Sequence, residues 1–131
     1  MMMTDQRSLA NSRIRVLACD DEPNLTEVIE AILRAASYNV RSTSDATEDL
    51  QLARAFKPHV ALLGVVMPHV GGVQLSQQLF NILPETKFVS ITEQVDEAIL
   101  RELRGKGLAC AALLAPFAQG ELLALIAKLT D

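Results

Sequence analysis

Cysteine is nearly missing from this 131-residue chain, and its two copies, Cys19 and Cys110, lie far apart. They are too few and too distant for a disulfide framework or a zinc site, so a reducing cytoplasm is the simpler setting. Long apolar runs are missing too. The longest, Leu108 to Ala115, is eight residues and stops at Pro116, far short of the roughly 18 a membrane span needs. Basic residues do not predominate: 12 Lys and Arg face 16 Asp and Glu, a formal charge of −4. An acidic balance gives no general attraction to phosphate backbones, so nucleic acid is not expected as a direct partner. Aromatics are few as well, with one Tyr, four Phe and no Trp.

What is present is the balance of a soluble core, with half the residues apolar and about a fifth charged. That excludes collagen-like, low-complexity and disordered classes. The length fits one domain. Residues 1–13 are polar after three methionines and contain no apolar signal-peptide core, so they read as a loose tail. Residues 14–131 show no linker, repeat or second composition and read as a single unit.

Within that unit short apolar runs alternate with amphipathic segments. Ile14 to Cys19 predicts a strand. Leu25, Val28, Ile29, Ile32 and Leu33 then recur at helical spacing, with Pro23 suited to the first turn. Tyr38 to Thr43 predicts a more polar strand suited to a sheet edge. Asp45 with Glu48 three residues on is an N-cap signal opening a helix through Leu50, Ala53 and Phe56. Val60 to Leu63 is continuously apolar, as in a central parallel strand covered on both faces. Pro68 and Gly71-Gly72 mark a loop, and Val73, Leu79, Phe80 and Leu83 line a third helix. Thr86 to Thr92 is the fourth strand, Val95, Ile99 and Leu103 mark the fourth helix, and Ala109 to Leu114 is the fifth strand. Leu122, Leu125, Ile126 and Leu129 give the fifth helix its stripe. Strict alternation predicts an α/β fold, a doubly wound five-stranded parallel sheet with helices on both faces.

In such sheets ligands lie beyond the carboxyl ends of the strands. Those ends are Asp20-Asp21, Gly64, Thr92 and Ala115-Pro116. Taken alone, adjacent acids there read as a helix cap at Asp21 and a solvated Asp20. The surrounding sequence changes that reading. Arg15-Val16-Leu17-Ala18-Cys19-Asp20-Asp21-Glu22-Pro23-Asn24 closely resembles the start of the receiver domain of bacterial two-component response regulators. Val60 through Gly72 is similar to that family's third strand and following loop. Val89-Ser90-Ile91-Thr92 and Leu113-Leu114-Ala115-Pro116-Phe117 are similar to its fourth and fifth strand ends. The resemblance runs from Ile14 to about Leu129 and implies the flavodoxin-like strand order 2-1-3-4-5.

It also implies a chemistry. Receiver domains hold Mg²⁺ with the first-strand acid pair, a carboxylate ending the third strand, and a backbone carbonyl two residues later. The third-strand carboxylate attacks the phosphoryl donor. A lysine before the Pro-Phe of the fifth strand pairs with the phosphoryl group, and a hydroxyl ending the fourth strand hydrogen-bonds it. Asp20 and Asp21 match the acid pair, Val66 matches the carbonyl, and Thr92 matches the hydroxyl. Gly64 stands at the phospho-acceptor position and Ala115 at the lysine position. A glycine has no nucleophile, and without one neither positioning nor electrostatics can act. The cation that would neutralise phosphate is missing too.

A shifted register does not rescue either function. No Asp or Glu occurs between Phe56 and Pro84, and the nearest lysines to Ala115 are Lys106 and Lys128. Losing one carboxylate and one ammonium together leaves the formal charge of the pocket unchanged, so the fold is expected to survive. Gly64→Asp alone is expected to crowd a third carboxylate into the pocket and to leave phosphorylation weak. Adding Ala115→Lys is expected to restore the balance. The family's switch also couples the fourth-strand hydroxyl to an aromatic on the fifth strand. Cys110-Ala111-Ala112-Leu113 contains none, so Thr92 is expected to be an ordinary, locally satisfied hydroxyl.

The expected function is accordingly that of a receiver-like signalling module, not an enzyme, which cannot be phosphorylated at the usual residue and acts by protein contact. The resemblance implies a signalling partner: a histidine kinase, an output domain or another regulator. A homodimer would use the face of the fourth helix, fifth strand and fifth helix. No resident cofactor is expected beyond weak Mg²⁺ at Asp20, Asp21 and the Val66 carbonyl. Two alternatives stay open: a ligand-binding or enzymatic domain on the same scaffold, and phosphotransfer through Asp20 or Asp21. Against the former, acids follow the first strand where a phosphate loop would need amides. His59 and His69 lack metal-ligand spacing, Cys19 and Cys110 read as small buried hydrophobes, and Arg101, Arg104 and Lys106 suit the end of the fourth helix or a partner surface.

Overall fold

A computed structural model of the protein describes residues 10–64, 77–79, 81–92, 98, 101, 105 and 111–131. Five strands form one sheet: β1 (Arg15–Cys19), β2 (Asn39–Thr43), β3 (Val60–Gly64), β4 (Lys87–Thr92) and β5 (Ala111–Leu114). Every pairing is parallel and the spatial order is β2-β1-β3-β4-β5. The doubly wound expectation is met, including the strand order. β3 is buried at all five positions, which is why its sequence is apolar without alternation. β2 alternates and occupies an edge.

Three helices are described over their whole length: α1 (Pro23–Ala35), α2 (Ala46–Phe56) and α3 (Gln119–Leu129). Pro23 opens α1 as its first residue, where a missing N–H costs nothing. Ser37 then takes a positive φ of 74°. The N–H of Ser37 donates to Arg34 and that of Tyr38 to Leu33, so the chain leaves α1 in a Schellman turn that feeds β2. At α2 the Glu48 N–H donates to Oδ1 of Asp45 at 3.1 Å, the cap expected from the sequence. The third and fourth expected helices lie largely outside the described residues, as do His69, Arg104, Lys106 and Cys110. Within the expected tail, residues 10–13 close a turn, and Asn11 anchors it by donating to the Ala36 carbonyl at 2.8 Å.

The sheet is packed on both faces. One layer holds Val16, Ala18, Val40, Val60, Leu62, Val89 and Ile91 against Ile29 and Leu33 of α1 and Leu122 and Ile126 of α3. The other holds Leu17, Cys19, Ala61, Leu63 and Phe88 against Ala53 of α2 and Leu79. Alternate residues of each strand feed opposite layers, the two-residue period of a pleated sheet.

Candidate functional site

The register brings the expected site residues together. Cys19 pairs with Leu63, so Asp20 follows at the level of Gly64; Gly64 pairs with Ile91, and Thr92 with Leu114, just before Ala115. Asp20, Gly64, Thr92 and Ala115 therefore share the carboxyl end of the sheet. Val66 lies outside the described residues.

The two acids play opposite parts to those their sequence alone suggests. Asp20 is 7 % exposed and Asp21 is exposed. The backbone N–H of Glu22 donates to Oδ1 of Asp20 at 2.9 Å, while Glu22, the N-cap residue of α1, makes no side-chain cap bond. The reading of Asp21 as cap and Asp20 as solvated is thus corrected. The chain turns out of β1 with the Asp20 N–H donating to the Thr43 carbonyl, and its carboxyl group lies against Gly64.

Gly64 gives that carboxyl its room. A Cβ built on Gly64 would stand 3.0 Å from Cγ of Asp20 and 2.5 Å from its Oδ2, the latter closer than real Cβ atoms come to a neighbour. A side chain at position 64 would therefore require the Asp20 carboxyl group to shift. The sequence shows Gly64 as a lost nucleophile; the structure adds that the Asp20 carboxyl group lies against the position a side chain there would take. Ala115 is buried, and its N–H donates to the Thr92 carbonyl at 2.7 Å, closing the β4–β5 end of the pocket. No described group of three or more His, Cys, Asp or Glu side chains is arranged to hold a metal ion.

The other singled-out residues have structural places. Cys19 is buried, and burial first, then the carboxylates of Asp49, Asp20, Asp45 and Glu48, push its thiol far above the usual range, so it is no thiolate nucleophile. His59 sits at the opposite end of the sheet. Its Nδ1 accepts the Arg15 backbone N–H at 3.0 Å and its backbone N–H donates to the Arg15 carbonyl, while burial and the Arg15 charge lower its pKa. Arg101 is helical and exposed.

One titratable residue escaped the sequence reading. Asp49 of α2 is fully buried, neither carboxyl oxygen has a hydrogen-bond partner, and burial raises its pKa to about 7. A signal existed: Asp49 precedes Ala53 by four residues and Phe56 by seven, so it lies on the stripe that faces the sheet.

The model of the response regulator receiver domain matches residues 16–127, and the chain belongs to that family. Among curated relatives it is 32 % identical over 82 residues to the uncharacterized transcriptional regulatory protein YxjL of Bacillus subtilis, covering 61 % of this chain and 38 % of that protein. It is 35 % identical over 81 residues to the response regulator GacA of Pseudomonas aeruginosa, covering 60 % and 38 %. The chain thus spans little more than a third of these relatives. The solved chemotaxis protein CheY4 of Vibrio cholerae superposes with a TM-score of 0.80 over 88 % of this chain and 98 % of that one, at 24 % identity, a likeness of fold. The receiver identity places the protein in two-component signalling. No described helix is long and apolar enough to cross a membrane.

Proposed function

We propose that this receiver domain does not accept phosphate at the usual position and acts, in the cytoplasm, as a non-enzymatic protein-contact module. One observation carries the reading: position 64 has no side chain, and Oδ2 of Asp20 stands 2.5 Å from where a Cβ would begin. Phosphoryl transfer needs a nucleophile in line with phosphorus and cations to spread the developing charge. Gly64 removes the nucleophile and Ala115 the ammonium, and the Asp20 carboxylate adds repulsion against an incoming phosphoryl group.

Asp20 and Asp21 remain as carboxylates for a weakly held divalent cation, with water in most coordination positions. When bound, Mg²⁺ would supply charge neutralisation at the pocket mouth. The partner is a signalling protein: a histidine kinase, an output domain or another regulator. It would dock on the face that includes β5, where Leu114 is 48 % exposed, and α3; a homodimer would use the same face.

Incubation of the whole chain with acetyl phosphate and Mg²⁺, followed by intact-mass measurement, is expected to give no phosphoryl adduct. Mg²⁺ alone is expected to shift the Asp20 and Asp21 carboxyl resonances only at roughly millimolar concentrations. An acid-stable, base-labile adduct would overturn the proposal, and its loss in Asp20→Asn would move the acceptor to Asp20.

A further inference from the structure

Asp49 is the one described residue with side-chain oxygens that are buried and unbonded. It lies in the first half of α2, one turn before Ala53, which packs into the layer of Leu17, Cys19, Ala61 and Leu63. An ionised carboxylate held there without a donor or a cation is strongly unfavourable, so the group either keeps its proton or leaves the interior.

Among the described residues the surroundings offer no relief. From β1 the facing titratable side chain is Cys19, whose thiol is pushed up beyond any physiological range and stays neutral. Asp20, beyond Cys19, and Asp45 and Glu48 at the start of α2 are further carboxylates. From β2, Thr43 is buried but its Oγ1 accepts the Asp45 N–H, and Arg41 lies over the Phe56 ring, 5.2 Å from its centre. Leu79 on the neighbouring helical segment is apolar. Among the described residues no cation shifts the balance back toward the charged form of Asp49.

We propose that Asp49 is a proton-operated latch: as the neutral acid it lets α2 close on β1 and β2, and loss of its proton loosens that helix while the α1 side of the sheet stays shut. The device concerns α2 packing and is independent of whether position 64 accepts phosphate.

Native-state hydrogen exchange on the full chain tests it, with α1 amides as internal reference and rates corrected for intrinsic exchange. The opening constant of the Leu50–Phe56 amides is expected to rise about tenfold per pH unit between pH 5 and pH 7 and to level above it, with no such slope at Ile29–Ala35. Asp49→Asn should abolish the slope. An equal slope in the variant, a flat profile in the natural chain, or α1 opening in step with α2 would each overturn the latch. Should Asp49→Asn not fold, the side-chain carboxyl resonance of Asp49 in the natural chain decides. A midpoint near neutrality supports the proposal, and one in the ordinary carboxylate range overturns it.

Discussion

Beneath α1 and α3, the sheet is met by Val16, Ala18, Ile29, Leu33, Val60, Leu62, Leu122 and Ile126, all fully buried. Among its described members, neither a carboxyl group nor an amine is found. Beneath α2, the described part of the corresponding layer carries the thiol of Cys19 and, at its margin, the buried Asp49. Both layers pack on the same sheet, yet among the described residues only the α2 side holds a buried carboxyl group without a hydrogen-bond partner. The difference teaches that the stability of this domain has two components with different controls. One is apolar area, which ignores protons over the physiological range. The other is protonation of a single side chain.

The largest expected effect belongs to the apolar layer. Ile29→Ala removes a fully buried side chain between α1 and the sheet and is expected to cost about 2–5 kcal/mol. Urea denaturation should give the same loss relative to the natural chain at pH 5 and pH 7.5. A loss that changed markedly with pH would mean that the two layers are not separately controlled.

Asp49 supplies the opposite behaviour. Its pKa is raised from 3.8 to about 7 in the folded chain, so the folded state binds more protons than the unfolded state between those values. Its contribution is therefore fully present below pH 4 and is lost as pH rises toward 7, beyond which the curve levels. Asp49→Leu removes the titration, and relative to the natural chain it is expected to gain roughly 3 kcal/mol between pH 5 and pH 7.5. A gain that did not grow with pH would place the carboxyl in contact with water or a donor and would erase the contrast between the layers.

The contrast also marks how far the sequence could be read. Apolar spacing located the strands to within a residue at most ends. β3 extends to Gly64 because the backbone keeps pairing with Ile91 although the side chains have stopped. Tyr38 falls outside β2 because the Schellman turn uses its N–H. Motif matching found Asp20, Gly64, Thr92 and Ala115, since strand ends in a parallel sheet converge whatever their side chains. Spacing of charges along a strand end could not say which acid turns inward; that depends on the turn from β1 into α1 and on the Glu22 N–H. Asp49 was invisible for a related reason. Charged residues are assigned to solvent by type, and only its place on the Ala53 and Phe56 stripe contradicts that assignment.

The smallest expected effect concerns the pocket, where the contrast reduces to two residues. Gly64 and Asp20 are coupled sterically, because a Cβ on one meets Oδ2 of the other at 2.5 Å while Oδ1 of Asp20 is tied to the Glu22 N–H. Gly64→Ala should therefore destabilise the domain by about 1 kcal/mol as Asp20 is forced off that bond, although alanine in a strand is otherwise better than glycine by roughly 0.5–1 kcal/mol. In an Asp20→Ala background the obstruction is gone, and the same substitution should become mildly stabilising. The double-mutant cycle, read by urea denaturation, thus predicts a coupling of about 1–2 kcal/mol and a change of sign. Additive effects would mean that Asp20 swings clear of Gly64 without cost. Position 64 would then be open space, and Gly64→Asp with Ala115→Lys could rebuild an acceptor there without moving Asp20.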